Sequence, residues 1–258
     1  MEAMPHSFSL SLAAVDILLE HLGFGRAPTP FEVPHVGTTV EQRAMIRDAV
    51  VRDLSGRGMW SRGRLDADAE LALATFVRGS VVINAAAELG DRHLFARVAS
   101  DGQFAVLARQ EENLIVFEEV RPTGIVPAIV DLLPLTPAAP GQSVTIARPA
   151  EQPRHQRRDD AYDPFAGVSG PRSQSSSGGG PQLRMIERVF QEPKKRVGQF
   201  TAQTRGGAFP PLAWFDTPSG RWLMSSRAAA DGQRWVTYAP ADNARLAQQL
   251  YAQLEGQF

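Results

Sequence analysis

The chain spells one pattern twice, and this limits its folds more than any other feature. Residues 66–134 read as a helix, four short alternating segments and a second helix, and residues 182–254 read in the same order. The first copy opens with Leu71, Leu73, Phe76 and Val77 at helical spacing and stops at Arg78-Gly79. The second opens with Leu183, Ile186, Val189 and Phe190 and stops at Glu192-Pro193. A period of 3.6 residues followed by a period of 2 marks a helix feeding strands, and turn signals between the strands make neighbours antiparallel. The expected fold class is α+β: an antiparallel sheet with flanking helices, in two quasi-symmetric halves built from a duplicated helix–meander–helix unit.

Composition removes several functions. No cysteine is present, which excludes disulfides, thiolate metal sites and a cysteine nucleophile. The formal net charge is −1, so no global field draws nucleic acid or acidic lipid. Charge is nevertheless uneven: residues 1–135 carry 12 basic and 18 acidic groups, residues 136–258 carry 15 and 10. The apolar stretch before Gly23 contains Asp16 and Glu20 and no preceding Lys or Arg, the reverse of a signal peptide. No uncharged run approaches the roughly 20 residues of a membrane span. A cytoplasmic protein is expected.

Local signals place the elements. Ser7 to Leu10 alternate, Ser11 stands at an N-cap position, and Leu12, Val15, Leu18, Leu19 and Leu22 run helically to Gly23. Pro28, Pro30 and Pro34 make the next stretch an extended strap. Thr38 with Glu41 reads as a capping box for a helix ending near Gly56. Asp66 caps the helix of the first copy, Asp101-Gly102 turns a hairpin, and Thr123 caps a helix whose buried face is Ile125, Val126, Ile129, Val130 and Leu133. Residues 136–181, rich in Pro, Ser and Gly, read as a linker between a half at 1–135 and a half at 182–258. Within it, Arg154 to Arg158 is basic and Asp159 to Phe165 acidic-aromatic. In the second copy Asp231-Gly232 turns a hairpin, and Asp242 caps a helix with Leu246, Leu250, Tyr251 and Leu254 aligned.

A search for chemistry finds little. The five histidines lack metal-ligand spacing, and neither a GxSxG elbow nor a phosphate loop occurs. No cofactor or metal is implied. Asp216, beside Trp214 and Arg221, is the best carboxylate for acid–base work. The simpler reading is that it begins the Pro218-Ser219-Gly220 turn and pairs with Arg221. Lys194-Lys195-Arg196 is too short for a nucleic-acid stripe and suits the end of a helix dipole. Three of the four tryptophans fall between 214 and 235.

Two motifs of the second copy carry a resemblance. Lys195-Arg196-Val197-Gly198-Gln199-Phe200 is a basic-Gly-Gln-Phe element, and Trp214-Phe215-Asp216-Thr217-Pro218-Ser219-Gly220-Arg221 is a Trp-x-Asp-Thr-x-x-Gly-Arg element. In this order they resemble the EspG family of ESX (type VII) secretion-associated proteins of actinobacteria. Leu22-Gly23 followed by Pro28 and Pro30, and Arg57-Gly58 before Trp60, are also similar to that family. The resemblance covers most of the chain outside 136–181. It implies an antiparallel sheet with flanking helices and a non-enzymatic cytosolic chaperone that binds a PE–PPE heterodimer at the tip of the PPE subunit.

The expected function is therefore that of a chaperone or adaptor keeping a helical type VII secretion substrate, such as a PE–PPE pair, soluble. Phe209, Leu212, Trp222 and Leu223, beside Pro/Gly turns, are the expected partner contacts. Two other readings stay open: a hydrolase-type enzyme acting around Asp216, and a structural protein that self-associates as a homodimer.

Overall fold

The computed structural model of the chain describes residues 7–148, 187–228 and 233–255. Its elements are the strand β1 (Ser7–Ser11), helices α1 (Leu12–His21) and α2 (Val40–Gly56), the small hairpin β2 (Trp60–Ser61) and β3 (Arg64–Leu65), and helix α3 (Ala67–Arg78). There follow β4 (Val81–Glu88), β5 (His93–Ser100), β6 (Ala105–Glu111), β7 (Leu114–Val120), helix α4 (Ile125–Val130) and β8 (Val144–Arg148). The rest is helix α5, described over 187–191, then β9 (Arg196–Thr204), β10 (Gly207–Ala208), β11 (Leu212–Thr217), β12 (Gly220–Ala228), β13 (Arg234–Pro240) and helix α6 (Asn243–Gln253). The fold is α+β, with antiparallel strands and flanking helices.

Two compact units divide the chain. One comprises the residues up to Asn84 with Phe95–Ile129, the other Ala85–Leu94 with Val130–Gly256. The first run gives α3, four strands and α4, and the described part of the second gives α5, five strands and α6, while the unit boundary cuts across the expected duplication: Ala85–Leu94 of the first run belongs with the second unit. Residues 136–148, placed by composition in the linker, carry β8 and a buried strap that includes Ala139 and Val144. Arg154 to Arg158, Asp159 to Phe165, Leu183, Ile186 and the Asp231-Gly232 turn lie outside the described residues.

In the first unit β7 lies between β1 and β6, and β6 pairs on its other side with β5, all antiparallel. Glycine and acidic turn residues fix these registers. Asp101 Oδ1 accepts from Gln103 and Phe104 N–H while Gly102 takes φ +100°, which closes the β5–β6 turn. Helix α1 starts where Ser11 Oγ accepts from Ala14 N–H and stops at Gly23, φ +68°. Leu10, Val15, Leu18, Leu19, Phe76 and Phe117 form its core with Phe8 stacked on Phe117 at 5.1 Å.

The cap of α2 differs from the expectation by one residue. Thr39, not Thr38, is the N-cap, accepting from Gln42 N–H at 3.2 Å, and Gln42 rather than Glu41 reaches back to Thr38 N–H at 3.0 Å. A glutamine at N3 fills this role as well as a glutamate. Thr123 does not cap α4 either. Pro122–Gly124 forms a 3₁₀ turn without a side-chain cap, and Ile125 to Leu133 still bury the predicted face.

In the second unit the strands follow the order β9, β11, β12, β13, β8. Every residue of β11 is buried. Phe190 of α5 sits 5.3 Å from the Phe215 ring and 5.5 Å from that of Tyr238, covering one face. Asp242 Oδ1 accepts from Arg245 N–H at 2.8 Å to cap α6 as expected.

Candidate functional site

The two sequence motifs meet inside the second unit. Gly198 of β9 stands opposite Trp214 of β11. A Cβ at 198 would lie 2.6 Å from Ala87 Cβ and 2.7 Å from Trp214 Cζ2, so only glycine leaves room for the indole. The Arg221 guanidinium lies over that indole, 4.6 Å from the ring centroid. Cation–π contact in so dry a place is worth up to about 2 kcal/mol.

Arg221 is fully buried, and each of its side-chain nitrogens donates a hydrogen bond. Nε donates to Asp216 Oδ1 at 2.6 Å and Nη2 to Asp216 Oδ2 at 3.1 Å. Nη1 donates to Asn243 Oδ1 at 2.5 Å, tying in α6. Nη2 also reaches Pro134 O at 3.1 Å and Thr136 Oγ1 at 3.2 Å. The backbone repeats the theme: Arg221 N–H donates to Pro137 O at 2.9 Å, and Arg221 O accepts from Ala139 and Ala241 N–H, each at 3.1 Å. Gly220 has φ +133°, and a Cβ there would strike Ala139 N and Cα at 2.6 Å. Thr217 Oγ1 donates to Gly220 O at 3.1 Å within the β11–β12 turn. Arg221 and Asp216, with Gly220 packed against Ala139, thus clamp the 134–139 strap onto the sheet, and Arg221 ties in α6.

Asp216 lies within β11 opposite Arg221, not at the first position of the turn, where Thr217 faces Gly220. Only 2% of its surface is exposed. Thr136 Oγ1 donates to its Oδ2 at 3.1 Å, and Arg196 Nη1 lies 3.4 Å from the same oxygen. The carboxylate is bonded to two cations and a hydroxyl and shut from water. The arrangement does structural work.

Of the four expected partner contacts, Leu212, Trp222 and Leu223 are buried, whereas Phe209, just past β10, is half-buried. Turn residues near them suggested exposure, but Leu212 lies in the wholly buried β11 and Trp222 and Leu223 in the buried start of β12, both strands paired on each side. Among the described residues of the second unit, the exposed aromatics are others: Trp235 on β13 and Tyr251 on α6. Helix geometry explains Tyr251. Leu246, Leu250 and Leu254 recur every four residues and are fully buried, and Tyr251 is turned 100° away from Leu250. The sequence signal was there, in the strict four-residue step. Trp235 pairs with Ala147 in register beside the edge strand β8, which composition had hidden in the linker.

Lys194 donates to Phe190 O at 3.1 Å, satisfying a carbonyl at the end of α5 as a basic residue should, and burial lowers its pKa.

In the first unit a second polar network holds α1 to α2. Arg43 donates to Asp16 Oδ2 at 2.7 Å, to Val36 O at 2.6 Å and, through both Nε and Nη2, to Glu20. Burial pushes the Asp16 carboxyl up, but bonds from Arg43, the Val36 N–H and His35, with the Arg43 charge, hold it below its usual value. Asp16 and Glu20 are four apart on one helix face, a spacing that could have signalled a shared cation. Among the described residues, no group of three His, Asp or Glu is placed to hold a metal ion. No helix there is long and apolar enough to cross a membrane.

Comparison with known proteins adds two findings. The sequence model of the EspG family matches residues 11–252. The fold is similar to that of the Mycobacterium tuberculosis type VII secretion system chaperone EspG5, solved in complex with a PE25–PPE41 dimer, with a TM-score of 0.61, 14% identity and 94% of each chain covered. Comparison with curated proteins gives no match.

Proposed function

The chain belongs to the EspG family, and from this premise we propose that it is a non-enzymatic cytosolic chaperone of type VII secretion whose client is a helical PE–PPE-type pair. The observation that carries the reading is the likeness, along nearly the whole chain, to a chaperone solved with such a pair bound. Two features of this chain support it. The motif residues are spent on a closed structural clamp, with Asp216 bonded to Arg221 and buried. The second unit also keeps Trp235 and Tyr251 at its surface, 36% and 40% exposed, with Phe209 half-buried. Aromatic side chains of this kind anchor protein interfaces because they bury much apolar area at a small entropy cost.

In this reading Phe209, Trp235 and Tyr251 touch the client, and Leu212, Trp222 and Leu223 are core of the same unit. A client with an apolar tip aggregates when the tip meets water or another copy, and covering the tip removes the driving force. The test is solubility. Co-expression of the chain with PE–PPE-type pairs encoded beside it should move the pair from the pellet to the supernatant. If each such pair is equally soluble, or equally insoluble, with and without the chain, the reading fails.

A further inference from the structure

The first unit contains a cavity of about 400 Å³ between the start of α3 and the face of β1, β6 and β7. Its floor is apolar: Phe8, Phe104, Phe117 and Leu71 line it. Leu71 is 42% exposed, large for an apolar side chain on a helix whose next residues, Ala72 and Leu73, are buried. The rim carries charge of one sign. Asp66 and Asp68 come from the start of α3, Glu118 and Glu119 from β7, and no lining residue is basic. Two of these acids have work inside the unit: Asp66 caps α3, and Glu118 pairs with Arg109 at 3.2 Å. Asp68 and Glu119 are exposed.

We infer that this cavity is a docking site for a protein segment presenting one or two large apolar side chains flanked by Lys or Arg on one helical turn. The volume suits such an anchor, since a leucine or phenylalanine side chain fills only part of it and leaves space for a neighbour one turn away. The charge sets the flank. Carboxylates around a low-dielectric floor make a negative field that a neutral or acidic segment cannot answer, whereas a lysine next to the anchor meets Asp68 or Glu119 as the apolar group enters. The half with the acidic excess is also the half that holds this cavity. The site lies in the first unit and does not depend on which client the aromatics of the second unit bind.

The test uses the full chain and two fluorescein-labelled helical peptides with the same Leu/Phe face, one flanked by Lys and one by Glu. At low salt the Lys peptide should bind about tenfold tighter or more, and the difference should shrink as salt screens the rim. The double variant Asp68→Asn/Glu119→Gln should abolish the preference, and Leu71→Ser should weaken both peptides, with melting curves confirming that each variant is folded. Three results would overturn the inference: equal affinity for the two peptides, a preference unchanged in the double variant, or binding lost in Trp235→Ala and not in the first-unit variants. Self-association of the free chain that Leu71→Ser abolishes would also overturn it, by making a second copy the occupant. Client solubilisation that persists in Asp68→Asn/Glu119→Gln separates this site from the client surface.

Discussion

The Arg221 guanidinium meets both carboxylate oxygens of Asp216, at 2.6 and 3.1 Å, across the β11–β12 pair and under the strap at 134–139. Both groups are shut from water, so the pair holds only while complete. Asp216→Ala, by stranding the arginine, should cost about 3–5 kcal/mol. Arg221→Lys should also be costly, because an ammonium cannot serve Asp216, Asn243 and Pro134 O at once. Replacing both partners, as Asp216→Leu/Arg221→Met, should cost much less than the two single changes added together. Urea unfolding of the four proteins measures the coupling; additive costs would refute it.

Gly198→Ala should be disruptive for a change of one methyl group. The new Cβ would press on Trp214 and Ala87 below 3.0 Å, and both are buried in a sheet that cannot move aside. Overpacking of this kind costs about 1–3 kcal/mol. Gly23→Ala, at a helix end with nothing within 4 Å, meets only the strain of its φ of +68° and should cost about 1 kcal/mol. Thermal melts of the two variants distinguish crowding from backbone strain.

The contrast between these glycines shows what a sequence can convey. Helix ends and hairpin turns are local, so Gly23, Asp66, Asp101-Gly102 and Asp242 announced themselves through capping and turn chemistry. The role of Gly198 is tertiary. Its spacing from Trp214 is legible, but that the two face each other depends on strand register. The burial of three expected contacts was illegible for a related reason. Leu212, Trp222 and Leu223 sit beside turns, which suggested exposure, while burial is decided by the strands on either side of them. Strand β8 was hidden by the composition of the segment after it.

Acid should weaken the first unit through Asp16. Its folded pKa lies below that of the unfolded chain. The stabilisation is therefore complete above the unfolded carboxylate value, near ~3.9, and is lost as pH falls through the lower folded value. Asp16→Asn should cost about 1.5–3 kcal/mol at pH 7, the worth of a hydrogen bond to a charged group. The gap between variant and parent should close as acidification takes the pH below the lowered folded value. Urea titrations at the two pH values check this; a gap that persists in acid would assign the loss to packing.

Trp235 and Tyr251 should behave unlike the core. Trp235→Ser and Tyr251→Ser remove rings that are 36% and 40% exposed and should cost less stability than truncating a core aromatic, below about 3–5 kcal/mol. As interface anchors they should cost client binding 2 kcal/mol or so each, roughly thirtyfold in affinity. Unchanged client affinity in the double variant would move the interface elsewhere.

The most direct measurement is the mass of the eluting species when the chain is purified with a PE–PPE-type pair and passed over a sizing column with light-scattering detection. The account predicts one peak containing all three polypeptides, with a mass equal to their sum, and its loss in Trp235→Ser/Tyr251→Ser. A chain that elutes apart from a soluble, intact pair would contradict it.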